Sequence, residues 1–304
     1  MVEEQETTRD AEAAARDRIL HIADVHFWRV VWNPFKLLSK RFLGNLNVFL
    51  RRRHEFLAHR AEDYADALAA TGIKTALLTG DFTSTALDEE FELAKKFVDR
   101  LAADGMTIHL MPGNHDVYTF ESHRTKRFER YFKDYLPEGG YPAKVRLPGG
   151  TDLVLISTVV PNMLSSKGLV TRQAVEKMSD LLASCEDPVL AAGHYPVLNE
   201  TYGYTMSSDR QMRNAGMLHH ALGESGKRIV YLSGHVHRFT YVQDPDYPNL
   251  THLTTGGFFH HRESDGSEGE FTEVHVKDKG FVTYRHVFQK GWDRKEMAVR
   301  DLRG

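Results

Sequence analysis

Five short apolar runs in this sequence each give way to an Asp, Asn or His beside a glycine or a turn. Residues 19–23 lead into Asp24-Val25-His26, and residues 75–79 into Gly80-Asp81. Residues 107–111 lead into Pro112-Gly113-Asn114-His115-Asp116. Residues 189–192 lead into Gly193-His194, and 229–232 into Ser233-Gly234-His235-Val236-His237. Carboxylate, amide and imidazole without thiolate form a borderline-hard donor set, suited to Mn²⁺ first and to Fe or Zn²⁺ as alternatives. Two cations about 3.5–4 Å apart need a ligand with two oxygens between them, and Asp81 in its tight Gly-Asp turn is the natural bridge. Each motif alone has an ordinary explanation as a cap, a turn or a packed histidine. Gly234-His235-Val236-His237 is more telling, because alternate residues of an extended segment point to opposite sides and need two recipients. Together, in this order, they point to one shared metal site.

Residues so far apart in sequence meet only if the elements carrying them end along one edge, as the carboxyl ends of strands do in α/β folds. The apolar runs read as buried strands. Between them lie helical patterns with apolar spacing of three and four: Phe91, Leu93, Ala94, Phe97, Val98 and Leu101, then Ala174, Val175, Met178, Leu181 and Leu182. Asp88 and Thr171 are placed to cap these helices. Strands alternating with helices predict an α/β core. The last third is strand-rich, over 240–242, 253–255, 274–276 and 281–288, with a hairpin turn at Lys277-Asp278-Lys279-Gly280. With no internal repeat, the expectation is one domain over 18–288 built on two sheets. Residues 1–17 read as a flexible tail and 289–304 as a carboxy-terminal tail.

Composition narrows the function classes. In 304 residues, 39 Lys+Arg stand against 42 Asp+Glu, a net charge of −3, which gives no global pull toward nucleic acid or membrane. Cys185 is the lone cysteine, so no intrachain disulfide forms, and no apolar run approaches the roughly 18 residues of a spanning helix. Residues 2–6 lack the basic and apolar regions of a signal peptide, so the expected location is cytoplasmic.

The series Asp24-x-His26, Gly80-Asp81, Gly113-Asn114-His115-Asp116, Gly193-His194 and Gly234-His235-x-His237 resembles the calcineurin-like metallophosphoesterases. The resemblance implies a four-layer α/β/β/α sandwich of two mixed sheets. It implies one metal held by Asp24, His26, Asp81 and His237, and a second held by Asp81, Asn114, His194 and His235. It implies hydrolysis of a phosphodiester or pyrophosphate bond by a hydroxide bridging the metals, with His115 facing the substrate phosphate and Asp116 orienting His115. Protein phosphatases of that family carry an Arg soon after Gly-Asp and a Glu after Gly-Asn-His. Here Gly80-Asp81 runs into Phe82-Thr83-Ser84-Thr85, and Asp116 follows Gly113-Asn114-His115, which argues against phosphoprotein. Many relatives have Asp or Asn where Ser84 stands.

Residues 28–53 hold seven basic residues, no acid, and the aromatics Trp28, Trp32, Phe35, Phe42 and Phe49. Such a stretch suits an anionic membrane surface, a lipid substrate, or a cap whose Arg51, Arg52 and Arg53 meet phosphates. A packed insertion over 27–56 with a solvated basic face is the plain alternative. Nucleic acid ranks lowest, since no second basic patch of similar density exists. The insertion resembles that of bacterial hydrolases of UDP-2,3-diacylglucosamine, which implies a lipid-linked nucleotide substrate and peripheral contact with the inner membrane face. A cyclic-nucleotide phosphodiesterase is the alternative enzyme. An inactive relative that binds a phosphorylated ligand is the alternative of another class. Tyr195 and Asn199, just after His194, are expected to contact substrate. His260 and His261, after Thr254-Thr255-Gly256-Gly257, read as a loop near the site with a structural role, His219 and His220 as surface residues of a helix. Cys185, beside Glu186 and Asp187, is not expected to be a nucleophile.

Overall fold

The computed structural model describes residues 15–29, 55–162, 165–198, 201 and 208–301. In chain order the first half runs β1 (Asp17–Ile22), α1 (Ala61–Ala70), β2 (Thr75–Leu78), α2 (Asp88–Ala103), β3 (Thr107–Leu110), α3 (Phe120–Arg124), α4 (Arg127–Phe132), β4 (Ala143–Arg146) and β5 (Asp152–Leu155). The second half runs β6 (Gly168–Leu169), α5 (Arg172–Ala183), β7 (Val189–Ala192), β8 (Met212–Arg213), α6 (Ala215–Gly223), β9 (Ile229–Ser233), β10 (Thr240–Gln243) and β11 (Leu250–Thr254). It closes with β12 (Gly269–Lys277), β13 (Gly280–Phe288), β14 (Trp292–Met297) and β15 (Arg300–Asp301).

Two sheets face each other. One has the order β14-β13-β12-β1-β2-β3, the other β15-β10-β11-β9-β7-β5-β4, and β6 and β8 form a small separate pair. Strands β1, β2 and β3 are parallel, as are β5, β7, β9 and β11, so the carboxyl ends within each set share one rim. Ile19, Leu77, Leu155, Leu190, Leu232 and Val274 fill the space between the sheets. Leu20, Ile22 and Leu78 turn the other way, against Leu68 of α1 and Phe91 and Phe97 of α2. On the far side Val154, Val189 and Tyr231 meet Met178 of α5 and Leu218 of α6. These three apolar layers make the α/β/β/α sandwich, and strands covered on both faces are apolar throughout rather than alternating.

Helix α2 shows why these segments become helices. Phe91, Ala94, Phe97, Val98 and Leu101 are buried on one face, and Asp88, Glu89 and Glu90 place acid in the first turn. Asp88 is the first helical residue rather than the cap; Leu87 caps, and the buried Glu90 carboxylate reaches back to accept from its amide at 3.3 Å. Thr171 does cap α5, its hydroxyl accepting from the Ala174 amide at 3.1 Å.

The chain ends differ from the sequence expectation. Trp292–Met297 is an edge strand on β13, and Arg300–Asp301 pairs with β10 of the other sheet, where a tail from 289 is expected. The charged Asp293, Lys295 and Glu296 suit an exposed edge, while Trp292 packs on Tyr64, Phe271 and Phe288. Residues 1–14 of the expected amino-terminal tail lie outside the described residues; Asp17 already belongs to β1, its carboxylate accepting from the Gly149 and Thr151 amides.

Candidate metal centre

The loops that follow β1 and β2 run side by side. The Asp24 amide donates to the Gly80 carbonyl at 3.1 Å, the His26 amide to Asp81 at 2.9 Å, and the Phe27 amide to Phe82 at 2.9 Å. A third loop, after β3, nests against them. A Cβ on Gly113 would lie 2.2 Å from the Asp81 amide nitrogen, and one on Gly80 (φ +96°) 2.5 Å from that of Gly113, so both positions require glycine. Asp24, His26, Asp81, His235 and His237 all hold φ between +49° and +70°, a region that side-chain-bearing residues seldom occupy. Strain of about 1–3 kcal/mol per such residue is concentrated on these five positions and is sustained by the surrounding loops.

Their side chains converge in two groups. Asp24, His26, Asp81 and His237 bring one ligand atom each within 4.8 Å of one another, and so do Asp81, His194 and His235. Asp81 belongs to both: its Oδ2 lies 3.5 Å from His26 Nε2 and 3.5 Å from His194 Nε2. Asn114 Oδ1 completes the second group, 3.1 Å from His194 Nε2 and 3.0 Å from His235 Nδ1. Outer contacts aim the rings. His26 Nδ1 donates to the Thr83 carbonyl at 3.2 Å and His194 Nδ1 to that of Thr79 at 2.8 Å, so each presents an Nε2 lone pair inward. His235 Nε2 donates to the Arg210 carbonyl at 3.0 Å, which turns its Nδ1 lone pair inward.

This donor set fits a pair of divalent cations. His26 Nε2 and His237 Nε2 stand 3.1 Å apart, a contact that favours a positive charge between or beside the two nitrogens. Burial above all lowers the pKa of His194 to about 4, against the opposing Thr79 hydrogen bond, and burial also pulls His235 well down. Both rings are therefore neutral at pH 7, as metal ligands must be.

The structure places His115 beside these groups, not within them. Its Nδ1 donates to the Ser84 carbonyl at 2.7 Å, its ring stacks on Tyr118 at 5.4 Å, and it meets His26 edge-on at 4.9 Å. Asp116 does not orient it. The Asp116 carboxylate turns inward and accepts from the amides of Gly113 (2.8 Å), Phe82 (3.2 Å) and Thr83 (2.9 Å), bracing the loops after β2 and β3. Burial, then the Asp81 charge, pushes its pKa up to about 7. Tyr195 is likewise no substrate contact: it is fully buried, donates its hydroxyl to the Ser166 carbonyl, and packs its ring 4.1 Å from His235. Arg51, Arg52, Arg53 and Asn199 lie outside the described residues.

His260 lies near the site, where the loop after Thr254-Thr255-Gly256-Gly257 is expected, 5.2 Å from both Phe56 and His237. Sequence reasoning missed two other groups: Phe56, 4.5 Å from His26, and Arg210. Arg210 supplies the carbonyl behind His235. Phe56 and Arg210 had no signal in the sequence, since neither ends an apolar run.

The family model for the calcineurin-like phosphoesterases matches residues 17–239. The chain belongs to this family. No curated protein matches the sequence. Among solved structures, a dimetal phosphatase from Danio rerio superposes with a TM-score of 0.60 at 13% identity, covering 93% of this chain and 100% of its own. A purple acid phosphatase from yellow lupin seeds gives 0.56 at 13% identity, over 94% of this chain and 54% of its own. A 5'-nucleotidase from Candida albicans gives 0.50 at 14%, over 89% and 51%. At such identities the likeness carries the fold. Family membership together with the paired donor groups makes this calcineurin-like phosphoesterase a metal-dependent phosphoester hydrolase. Among its described residues no helix is long and apolar enough to cross a membrane.

Proposed function

We propose that this phosphoesterase cleaves a phosphodiester or pyrophosphate bond whose leaving side is a bulky organic group, such as a lipid-linked nucleotide. The observation that carries the reading is His115, set beside the ligand groups with its Nδ1 proton committed to the Ser84 carbonyl. Two divalent cations held by Asp24, His26, Asp81 and His237, and by Asp81, Asn114, His194 and His235, would neutralise phosphoryl charge and supply a nucleophile at neutral pH. His115 Nε2 is then the end of the ring that carries a proton to the leaving oxygen, and the Ser84 carbonyl, by accepting from Nδ1, fixes the orientation of the ring. A diester or pyrophosphate has a leaving oxygen that needs such an acid.

The substrate class rests on the rim. Trp28 donates its indole N–H to the Phe56 carbonyl at 3.1 Å, and the Arg29 amide donates to Glu90 at 3.1 Å. The described residues that flank the basic, aromatic sequence 30–54 therefore lie near the metal centre. Their position supports a role for Arg51, Arg52 and Arg53 at substrate phosphates or at an anionic membrane surface, and UDP-2,3-diacylglucosamine combines both features.

The test is hydrolysis of bis(p-nitrophenyl) phosphate by metal-stripped protein with Mn²⁺ restored, beside Asp81→Ala. Turnover that needs metal and disappears together with metal content in Asp81→Ala is the expected result. Turnover of p-nitrophenyl phosphate alone would overturn the diester reading. UDP-2,3-diacylglucosamine set against cyclic AMP then separates a lipid-linked substrate from a cyclic nucleotide. Binding to anionic vesicles, lost when Arg51–Arg53 become Glu, tests the membrane contact.

A further inference from the structure

On the outer face of the second sheet, away from the paired donor groups and sharing no residue with them, three side chains close on one point. Asp244, just past β10, offers Oδ2 to His219 Nε2 of α6 at 2.5 Å and to His252 Nε2 of β11 at 2.6 Å. The three ligand atoms lie within 4.8 Å of one another. Asp244 is fully buried and His252 nearly so, while the His219 side chain remains 17% exposed. We propose that His219, Asp244 and His252 form a third, mononuclear divalent-cation site, with Zn²⁺ as the ion its chemistry fits.

The argument starts from charge. Among the described residues the ion pairs of Asp244 are with these two imidazoles alone, and no Arg or Lys reaches it. A fully buried carboxylate without a permanent cation is costly. Burial works against the Asp244 charge, and hydrogen bonds from His219, His252 and the Asp246 and Tyr247 amides outweigh it and hold the carboxyl well below the usual carboxylate range. An imidazole that only donates a hydrogen bond adds no net charge, whereas a divalent ion offsets that of the carboxylate.

A second cluster in the same chain shows what a purely hydrogen-bonded arrangement looks like here. Glu273 also meets two histidines, but on different oxygens: His286 on Oε1 at 2.8 Å and His275 on Oε2 at 3.1 Å. There Arg294 supplies the positive charge, 2.9 Å from Oε2. At Asp244 both imidazoles crowd the same oxygen, closer than the roughly 2.7–2.9 Å of ordinary charge-assisted N–H···O contacts. The other oxygen, Oδ1, accepts from the Asp246 and Tyr247 amides at 2.9 Å each and so fixes the carboxylate plane toward the histidines. Such outer contacts aim a metal-ligating carboxylate.

Two imidazoles and one carboxylate make a borderline nitrogen–oxygen set of the kind that binds Zn²⁺. Glu224 and Asp246 add negative charge around the adjoining Tyr247, and partly exposed His219 gives an ion a way in. Asp244 and His252 lie beyond residues 17–239, which the family model matches, and His219 lies within them. One of its elements, β11, pairs with β9, the strand that delivers His235 and His237. An ion there would join α6 to the β10–β11 hairpin and stiffen the support of the second sheet's ligands.

The experiment is metal counting by plasma mass spectrometry after dialysis against Zn²⁺, on the full chain and on His219→Ala. The expected result is three equivalents per chain in the parent and two in His219→Ala, with hydrolysis of the chromogenic diester retained. Equal counts in the two proteins overturn the proposal. Since His219→Ala can also act by loosening the fold, a second comparison uses Asp81→Asn, in which the paired site is disabled. Zn²⁺ should still bind that protein at one equivalent and raise its Tm, and adding His219→Ala should abolish both effects. A Tm indifferent to Zn²⁺ in Asp81→Asn would likewise overturn it. Failure of the paired site shows instead as loss of the other two equivalents with this one kept.

Discussion

Asp116→Ala should cost stability and leave the proton chemistry at His115 in place. Three buried amides, those of Phe82, Thr83 and Gly113, take the Asp116 carboxylate as acceptor. The Thr83 hydroxyl also touches it at 3.1 Å but can turn to the His115 carbonyl, equally 3.1 Å away. The substitution therefore strands three amide donors, at about 1–3 kcal/mol each. With some relaxation of the loops the expected loss is about 4 kcal/mol. At roughly 2 °C per kcal/mol for a chain of this size, Tm should fall by about 8 °C. Thermal unfolding followed by circular dichroism in EDTA measures this without any contribution from metal binding. The pH dependence of kcat at saturating metal is the companion measurement. Because the Asp116 carboxylate faces away from the His115 ring, the limb that reports His115 should stay where it is. A Tm within about 1 °C of the parent, together with a displaced limb, would refute the bracing role and make Asp116 the partner of His115 after all.

His115→Ala should lower kcat by about 10²–10⁴ while metal content stays at the parent level; parallel loss of metal, read by mass spectrometry, would make His115 a ligand. Burial holds the pKa of His21 down at about 3, with Nε2 3.0 Å from the Thr79 hydroxyl. The folded state thus prefers the neutral ring and the unfolded chain takes up the proton, so stability is lost as pH falls below about 6.5. His21→Gln should remove about 2 kcal/mol of the decline between pH 7 and pH 5, measured by urea unfolding at both pH values. An unchanged decline would show that other groups carry it.

The site was legible because its ligands end apolar strands, and a strand end is visible in a single sequence. Roles one step further out were not. His115 and Asp116 are neighbours in sequence, but in a turn consecutive side chains diverge, and the second one points into the loops. Tyr195 follows a ligand and turns into the core for the same reason. His219 reads as a surface residue of a helix, since its partners Asp244 and His252 are distant along the chain and only sheet packing brings them near. Strands β4 and β5 carry only four residues each, too few for a period to declare itself. Trp292–Met297 is so rich in charge that only its pairing with β13 identifies it as a strand.

The division of ligands between the two sheets sets a timetable for biosynthesis. Asp24, His26, Asp81 and Asn114 follow strands of the first sheet, while His194, His235 and His237 follow strands of the second. Each donor group draws on both. A nascent chain that has exposed only its first half owns a cluster of oxygen donors with a single imidazole, and no complete set for either ion. The first set closes only once His237 has emerged and the second only once His194 and His235 have, with the ligand-bearing strands of both sheets brought together, so loading with metal reports that the two sheets have met. Hydrolytic power is thereby withheld from truncated or half-folded chains, and the emergence of His237 marks the earliest moment at which the enzyme can be switched on.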